Sequence, residues 1–109
     1  MPIIHVYKSS QLSSTDGADI TKAIATFLGI DETDLALFYI ESSISDSSSY
    51  LVHIEIIIPT CWAQDKTREL LIIASRFICN GLEIDESKAI TTLEHIRMGD
   101  ILDRGKIIE

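Results

Sequence analysis

The first place in this sequence where chemistry could reside is its second residue. If the initiator Met1 is removed, Pro2 carries a free α-amine. An α-amino group has a pKa of ~7.7–8.0, far below that of lysine. Enclosure by apolar neighbours such as Ile3 and Ile4 disfavours the charged ammonium and lowers the value further. Such an amine is largely neutral at cellular pH and can remove a proton next to a carbonyl. The plainer reading is a proline that opens a strand, a position it tolerates well.

Few other residues carry a comparable signal. Lys8 is the nearest cation to Pro2 in sequence and is also a normal solvated charge. Trp62 follows Pro59-Thr60-Cys61, where it either packs at an interface or lines a pocket. Tyr39 sits in an apolar run and reads as a core residue with a satisfied hydroxyl. His5, His53 and His95 all fall in strand-like segments. Strand alternation could bring His5 and His53 to one sheet face, but no third ligand is in place, so no metal site is expected. Cys61 and Cys79 are far beyond C-x-x-C spacing and read as reduced structural thiols. A nucleophilic Cys61 at a helix start is a weaker option. No Ser-His-Asp pattern stands out, and nothing calls for a cofactor.

Composition excludes several partners. The chain of 109 residues suits one domain spanning 1–109 and no more. Its apolar fraction of 46% with 24% charged residues is that of a globular protein. With 17 acidic and 9 basic residues the net charge is −8, and no two basic residues are adjacent. Nucleic-acid binding draws on clustered Lys and Arg, so no nucleic-acid partner is expected. An anionic membrane surface is disfavoured for the same reason. No run approaches the ~20 apolar residues of a membrane span. No basic region leads an apolar run at the start, so a cytoplasmic protein is the expectation.

The elements that would hold Pro2 form a doubled pattern. Ile3 to Tyr7 reads as a strand. Ser9 to Ser14 is polar and turn-like. Ile20, Ala23, Ile24, Phe27 and Leu28 then make the stripe of an amphipathic helix, with Thr15, Asp16 and Asp19 at its start and Gly29 as its stop. Leu35 to Ile40 is nearly continuous in apolar residues and reads as a strand buried on both faces. Ser42 to Ser49 reads as a flexible connection. Tyr50 to Ile58 is the longest strand candidate, ended by Pro59. A second helix is predicted from Gln64 to Cys79, with the stripe Leu70, Leu71, Ala74, Phe77 and Ile78, and Asn80-Gly81 as its stop. Ala89 to Ile96 is a fourth strand, and Ile101-Leu102 with Lys106 to Ile108 suggests a terminal hairpin.

A shift of 50 residues places Phe27 on Phe77, Ile20 on Leu70, Leu28 on Ile78 and Ile4 on Ile54. The repeat is one of pattern, with almost no identity. Two such β-α-β units give an α+β fold: one four-stranded sheet with both helices on one face, plus short C-terminal strands. The opposite face needs a cover, and strands this apolar suggest other subunits. A ferredoxin-like module has the same element order and remains open at this point.

The opening Met1-Pro2-Ile3-Ile4 resembles the start of the tautomerase superfamily, which includes 4-oxalocrotonate tautomerase and macrophage migration inhibitory factor. The doubled pattern and the length resemble the migration-inhibitory-factor-like members. Ala63-Gln64-Asp65-Lys66 is similar to their Ala-Gln-Asn-Arg segment, and Ile90 to Glu94 with Gly99 and Gly105 resembles the C-terminal hairpin of the oxalocrotonate enzymes. A small uncharacterised branch shares this layout. The resemblance implies a βαββαβ fold that forms a homotrimer, with a pocket beside the N-terminal proline near subunit boundaries. It implies proton transfer in a small anionic keto or enol acid, with Pro2 as the general base.

The family's pocket residues are mostly replaced. Its arginine after the first strand falls at Gln11-Leu12, and its second arginine at about Ile90. The tyrosine and asparagine of migration inhibitory factor fall at about Ala89 and Thr91. Arg97 and Arg104 lie in the terminal segment, which in this family reaches toward a neighbouring pocket. As planar bidentate partners for a carboxylate they are favoured over Lys8. The expected substrate-binding set is therefore Arg97, Arg104, Lys8, Tyr39 and Trp62 around catalytic Pro2. The alternative is a non-catalytic oligomeric scaffold of the same fold, used for ligand binding or protein contacts.

Overall fold

The computed structural model describes residues 2–9, 17–42 and 50–109. Strand β1 runs Ile3–Ser9, helix α1 Gly17–Leu28, β2 Ala36–Ser42, β3 Val52–Pro59, α2 Gln64–Leu82, β4 Ala89–Ile96, β5 Ile101–Asp103 and β6 Lys106–Ile108. The sheet order is β2-β1-β3-β4. β1 pairs parallel with β2, β3 pairs parallel with β4, and β1 meets β3 antiparallel. Each helix thus returns the chain to a strand adjacent to the one it left. In a ferredoxin-like sheet each unit is split by an inserted strand, so this topology is the tautomerase-like one.

Strict alternation along the two central strands sets the layers. Ile4, Val6 and Lys8 of β1, with Val52, Ile54, Ile56 and Ile58 of β3, are buried beneath the helices. Each fully buried isoleucine contributes about 1.5–3 kcal/mol. Ile20, Ile24, Ala25 and Leu28 of α1 and Leu70, Ala74, Ile78 and Leu82 of α2 cover them. The expected α1 stripe shifts slightly, since Ala23 is exposed and Phe27 is only half covered by an edge-on contact with Phe77. The start signals at Thr15 and Asp16, the turn at 10–14 and the serine segment at 43–49 lie outside the described residues.

Two expectations need correction. β2 is not buried on both faces: Phe38 is 52% exposed, because among the described residues no second layer covers the far side of the sheet. That face is not simply greasy. His5 Nδ1 lies 3.2 Å from Glu55 Oε1, His53 Nε2 lies 2.9 Å from Thr92 Oγ1, and Tyr7 packs against both histidine rings. The sheet alternation therefore does bring His5 and His53 to one face.

Asn80-Gly81 does not end α2, which continues to Leu82. Leu82 is buried, so continuing gains apolar burial that exceeds the roughly 1 kcal/mol cost of a helical glycine. The stop falls on Glu83, in the left-handed region at φ 58°. Its N–H donates to the Asn80 carbonyl, and the Ile84 N–H donates to the Cys79 carbonyl at 3.0 Å. Gly29, at φ 72°, ends α1 in the same way, with Ile30 N–H donating to Ala25 at 3.0 Å. This pairing of i→i−3 and i→i−5 bonds is the Schellman stop.

The hairpin turn Arg104-Gly105 has positive φ at both residues, the geometry that continues strand twist through a two-residue turn. Among the described residues no helix is long and apolar enough to cross a membrane.

Candidate functional site

Pro2 immediately precedes β1, the strand held on both sides. Its side chain is fully buried, and its carbonyl accepts the Ala36 N–H at 3.0 Å, locking it to the start of β2. Beside it lies a cavity of about 290 Å³ lined by Pro2, Ile30, Asp34, Trp62, Ile101, Asp103 and Ile108.

Each wall has a local cause. The Schellman stop at Gly29 turns Ile30 inward. A 3₁₀ turn at Glu32–Asp34 follows, capped by Asp31, whose carboxylate accepts the Thr33 N–H at 2.9 Å and the Thr33 hydroxyl at 2.8 Å. These bonds hold the Asp31 carboxyl below its ordinary value, the backbone N–H first and the hydroxyl second, with a smaller contribution from Arg104. The turn presents Asp34 to the cavity. Trp62 comes from the β3–α2 connection, where its N–H donates to the Pro59 carbonyl at 3.3 Å. The β5–β6 hairpin alternates: Ile101, Asp103 and Ile108 line the cavity, while Leu102 and Ile107 are 70% and 60% exposed.

The expected ligand-binding residues are dispersed. Trp62 lies in the cavity wall with Pro2. Tyr39 packs against the core beneath the helices. Lys8 is buried at the far end of β1, its Nζ 3.9 Å from Glu41 Oε1. Arg97 is exposed on the segment after β4 and pairs with Asp100 at 3.3 Å. Arg104 stands at the cavity's margin, but its guanidinium donates to the Thr33 carbonyl at 2.6 Å and its Nε lies 3.8 Å from Asp103. It clips the hairpin onto the 3₁₀ turn. Only Pro2 and Trp62 of the expected set share the cavity, and among the described residues lining it none is Lys or Arg.

Sequence reasoning missed Ile30, Asp34, Ile101, Asp103 and Ile108. A signal for Ile30 was present. Ile30-Asp31-Glu32-Thr33 recurs as Ile84-Asp85-Glu86-Ser87, a shift of 54 residues instead of 50. Asp85 caps the Glu86–Lys88 turn through Ser87 N–H at 2.9 Å, as Asp31 does through Thr33. That caps a repeat, and marks both connections as built structure.

The remaining reactive groups lie elsewhere. Cys61 and Cys79 are free thiols. Burial, above all, pushes the Cys79 thiol up. Among the described residues no group of three or more His, Cys, Asp or Glu is placed to hold a metal ion.

The sequence matches no family model and no curated protein. The fold, by contrast, is that of the tautomerase superfamily. A crystal structure of a member of the cis-3-chloroacrylic acid dehalogenase family aligns over 98% of this chain and 83% of its own, with a TM-score of 0.76 at 12% identity. An asymmetric trimer of wild-type fused 4-OT covers 96% of this chain and 94% of its own, with a TM-score of 0.78 at 14% identity. The macrophage migration inhibitory factor of Toxoplasma gondii covers 97% and 99%, with a TM-score of 0.66 at 13% identity. At these identities the likeness is one of fold.

Arg104→Ala removes the clip between the hairpin and the 3₁₀ turn. It should cost about 0.5–1 kcal/mol, discounted for the exposure of the side chain. Hydrogen exchange should show faster exchange at the Gly99 and β6 amides with the main sheet unchanged; an unaltered hairpin would show that the Thr33 contact does not hold it.

Proposed function

We propose that this chain is a tautomerase-like enzyme that moves a proton within a small keto or enol compound, with the Pro2 amine as general base. While Met1 is attached, the Pro2 nitrogen is an amide with no basic lone pair; its removal creates the amine. The observation that carries the reading is Pro2 itself, buried at the start of the central strand and forming one wall of a small, largely apolar cavity. The shared fold of the dehalogenase-family and fused 4-OT structures supports it.

The step balances without a cofactor. The amine takes a proton from the carbon next to the substrate carbonyl, leaving an enolate, and the resulting ammonium returns the proton to another position of the same molecule. Ile30, Ile101, Ile108 and Trp62 would exclude water and hold the substrate skeleton. The acid group of the expected substrate is not carried into this proposal, because no lysine or arginine is among the described lining residues.

The assembly belongs to the same proposal. The far face of the sheet presents Phe38 and Ile90 to solvent, and fused 4-OT structures of this fold are trimers, so we take the working form to be a homotrimer that buries this face. Two unpaired cysteines agree with a cytoplasmic setting.

Ketonisation of a phenylpyruvate-type enol by Met1-processed protein should fall by ~100-fold or more in Pro2→Ala, the contribution of a positioned acid–base group. Equal rates in the two proteins would overturn the base role. Sedimentation at micromolar concentration should give the mass of three chains, and a monomer mass would exclude the trimer.

A further inference from the structure

The cavity beside Pro2 has an unusual lining for a pocket meant to receive an acid. Two acidic residues line it, Asp34 from the 3₁₀ turn and Asp103 from the hairpin. Arg104 at its edge donates to the Thr33 carbonyl and holds its Nε 3.8 Å from Asp103, and Lys106 is the exposed cross-strand neighbour of Asp103. The wall also contains an indole, Trp62, and three isoleucines.

Carboxylates beside an aromatic face are the chemistry of organic-cation recognition. The ring quadrupole attracts a cation near its face, and the carboxylates supply the opposite charge. A ligand carboxylate in the same space would meet Asp34, and Asp103 with its charge partly met by Arg104, and no lysine or arginine among the described lining residues. Resting on the proton-transfer reading above, we infer that the cavity takes a small carbonyl compound carrying a protonated amine, with Asp34 and Asp103 as its specificity-determining residues and Trp62 against the cation.

The assignment has a consequence for Pro2. Two nearby carboxylates favour the ammonium form of its amine, whereas burial favours the neutral form. A bound substrate cation offsets the carboxylates and releases the amine to act as a base.

Three probes of one skeleton test this: phenylpyruvate, its neutral primary amide, and its N-(2-dimethylaminoethyl) amide, which carries a protonated tertiary amine that cannot condense with the ketone. Calorimetric binding to Met1-processed protein should favour the dimethylaminoethyl amide over phenylpyruvate by about tenfold or more, with the neutral amide between them. In an Asp34→Asn, Asp103→Asn double variant, with folding checked by circular dichroism, that gap should shrink to about threefold or less. Tighter or equal binding of phenylpyruvate, no binding of the dimethylaminoethyl amide, or an unchanged gap in the double variant would overturn the assignment. Turnover separates this from the proton-transfer reading. Pro2→Ala should retain the binding preference while losing turnover; a preference that persists with turnover undiminished in Pro2→Ala refutes the base role alone.

Discussion

The pairing of β1 on both edges is the constraint from which the site follows. β1 lies between β2, with which it runs parallel, and β3, with which it runs antiparallel. Alternation then leaves no freedom: Ile4 and Val6 must go under the helices, and His5 and Tyr7 must face away. A one-residue slip would invert both sets and bury an imidazole in the core. The same pairing fixes Pro2, whose carbonyl takes the Ala36 N–H before the ladder begins. Pro2 is one of the fully buried side chains among the described residues.

Much of the architecture was legible because it rests on local periodicity. The strands at Ile3, Val52 and Ala89, the helices and the terminal hairpin follow from apolar spacing and turn residues. The internal repeat was legible as well, but its register was read at a single shift of 50. The shift is 50 up to Ile78 and 54 from Glu83 onward, where Gly29 and Glu83 make equivalent helix stops. The four extra residues form about one additional turn of α2. Asn80-Gly81 lies within that turn, which is why a local stop signal was overridden by the burial of Leu82 two residues after Asn80. The β2 error has a different origin: an apolar run says how much surface a strand would bury, but not whether this chain or another molecule covers it.

The cavity was less legible because its wall is assembled from four separate segments of the chain. Pro2 and Trp62 could be singled out by type, whereas Asp34 and Asp103 look like ordinary surface acids in a chain of net charge −8. Their placement depends on the Asp31-capped turn and on the Arg104 bond that draws the hairpin against it. Arg104 shows how a residue chosen for the right chemistry can serve another purpose. Its guanidinium suits a carboxylate ligand, yet the backbone carbonyl of Thr33 and the side chain of Asp103 lie within its reach first. Its effect on the site is positional.

The account has one chemical prerequisite, a free amine at Pro2, and the most direct measurement is the intact mass of the protein purified from its native host. The account predicts a mass one methionine residue below that of the 109-residue chain, the mass of a protein beginning at Pro2. A mass that retains Met1 would contradict it, because the Pro2 nitrogen would then be an amide and the buried proline no more than the anchor of a strand.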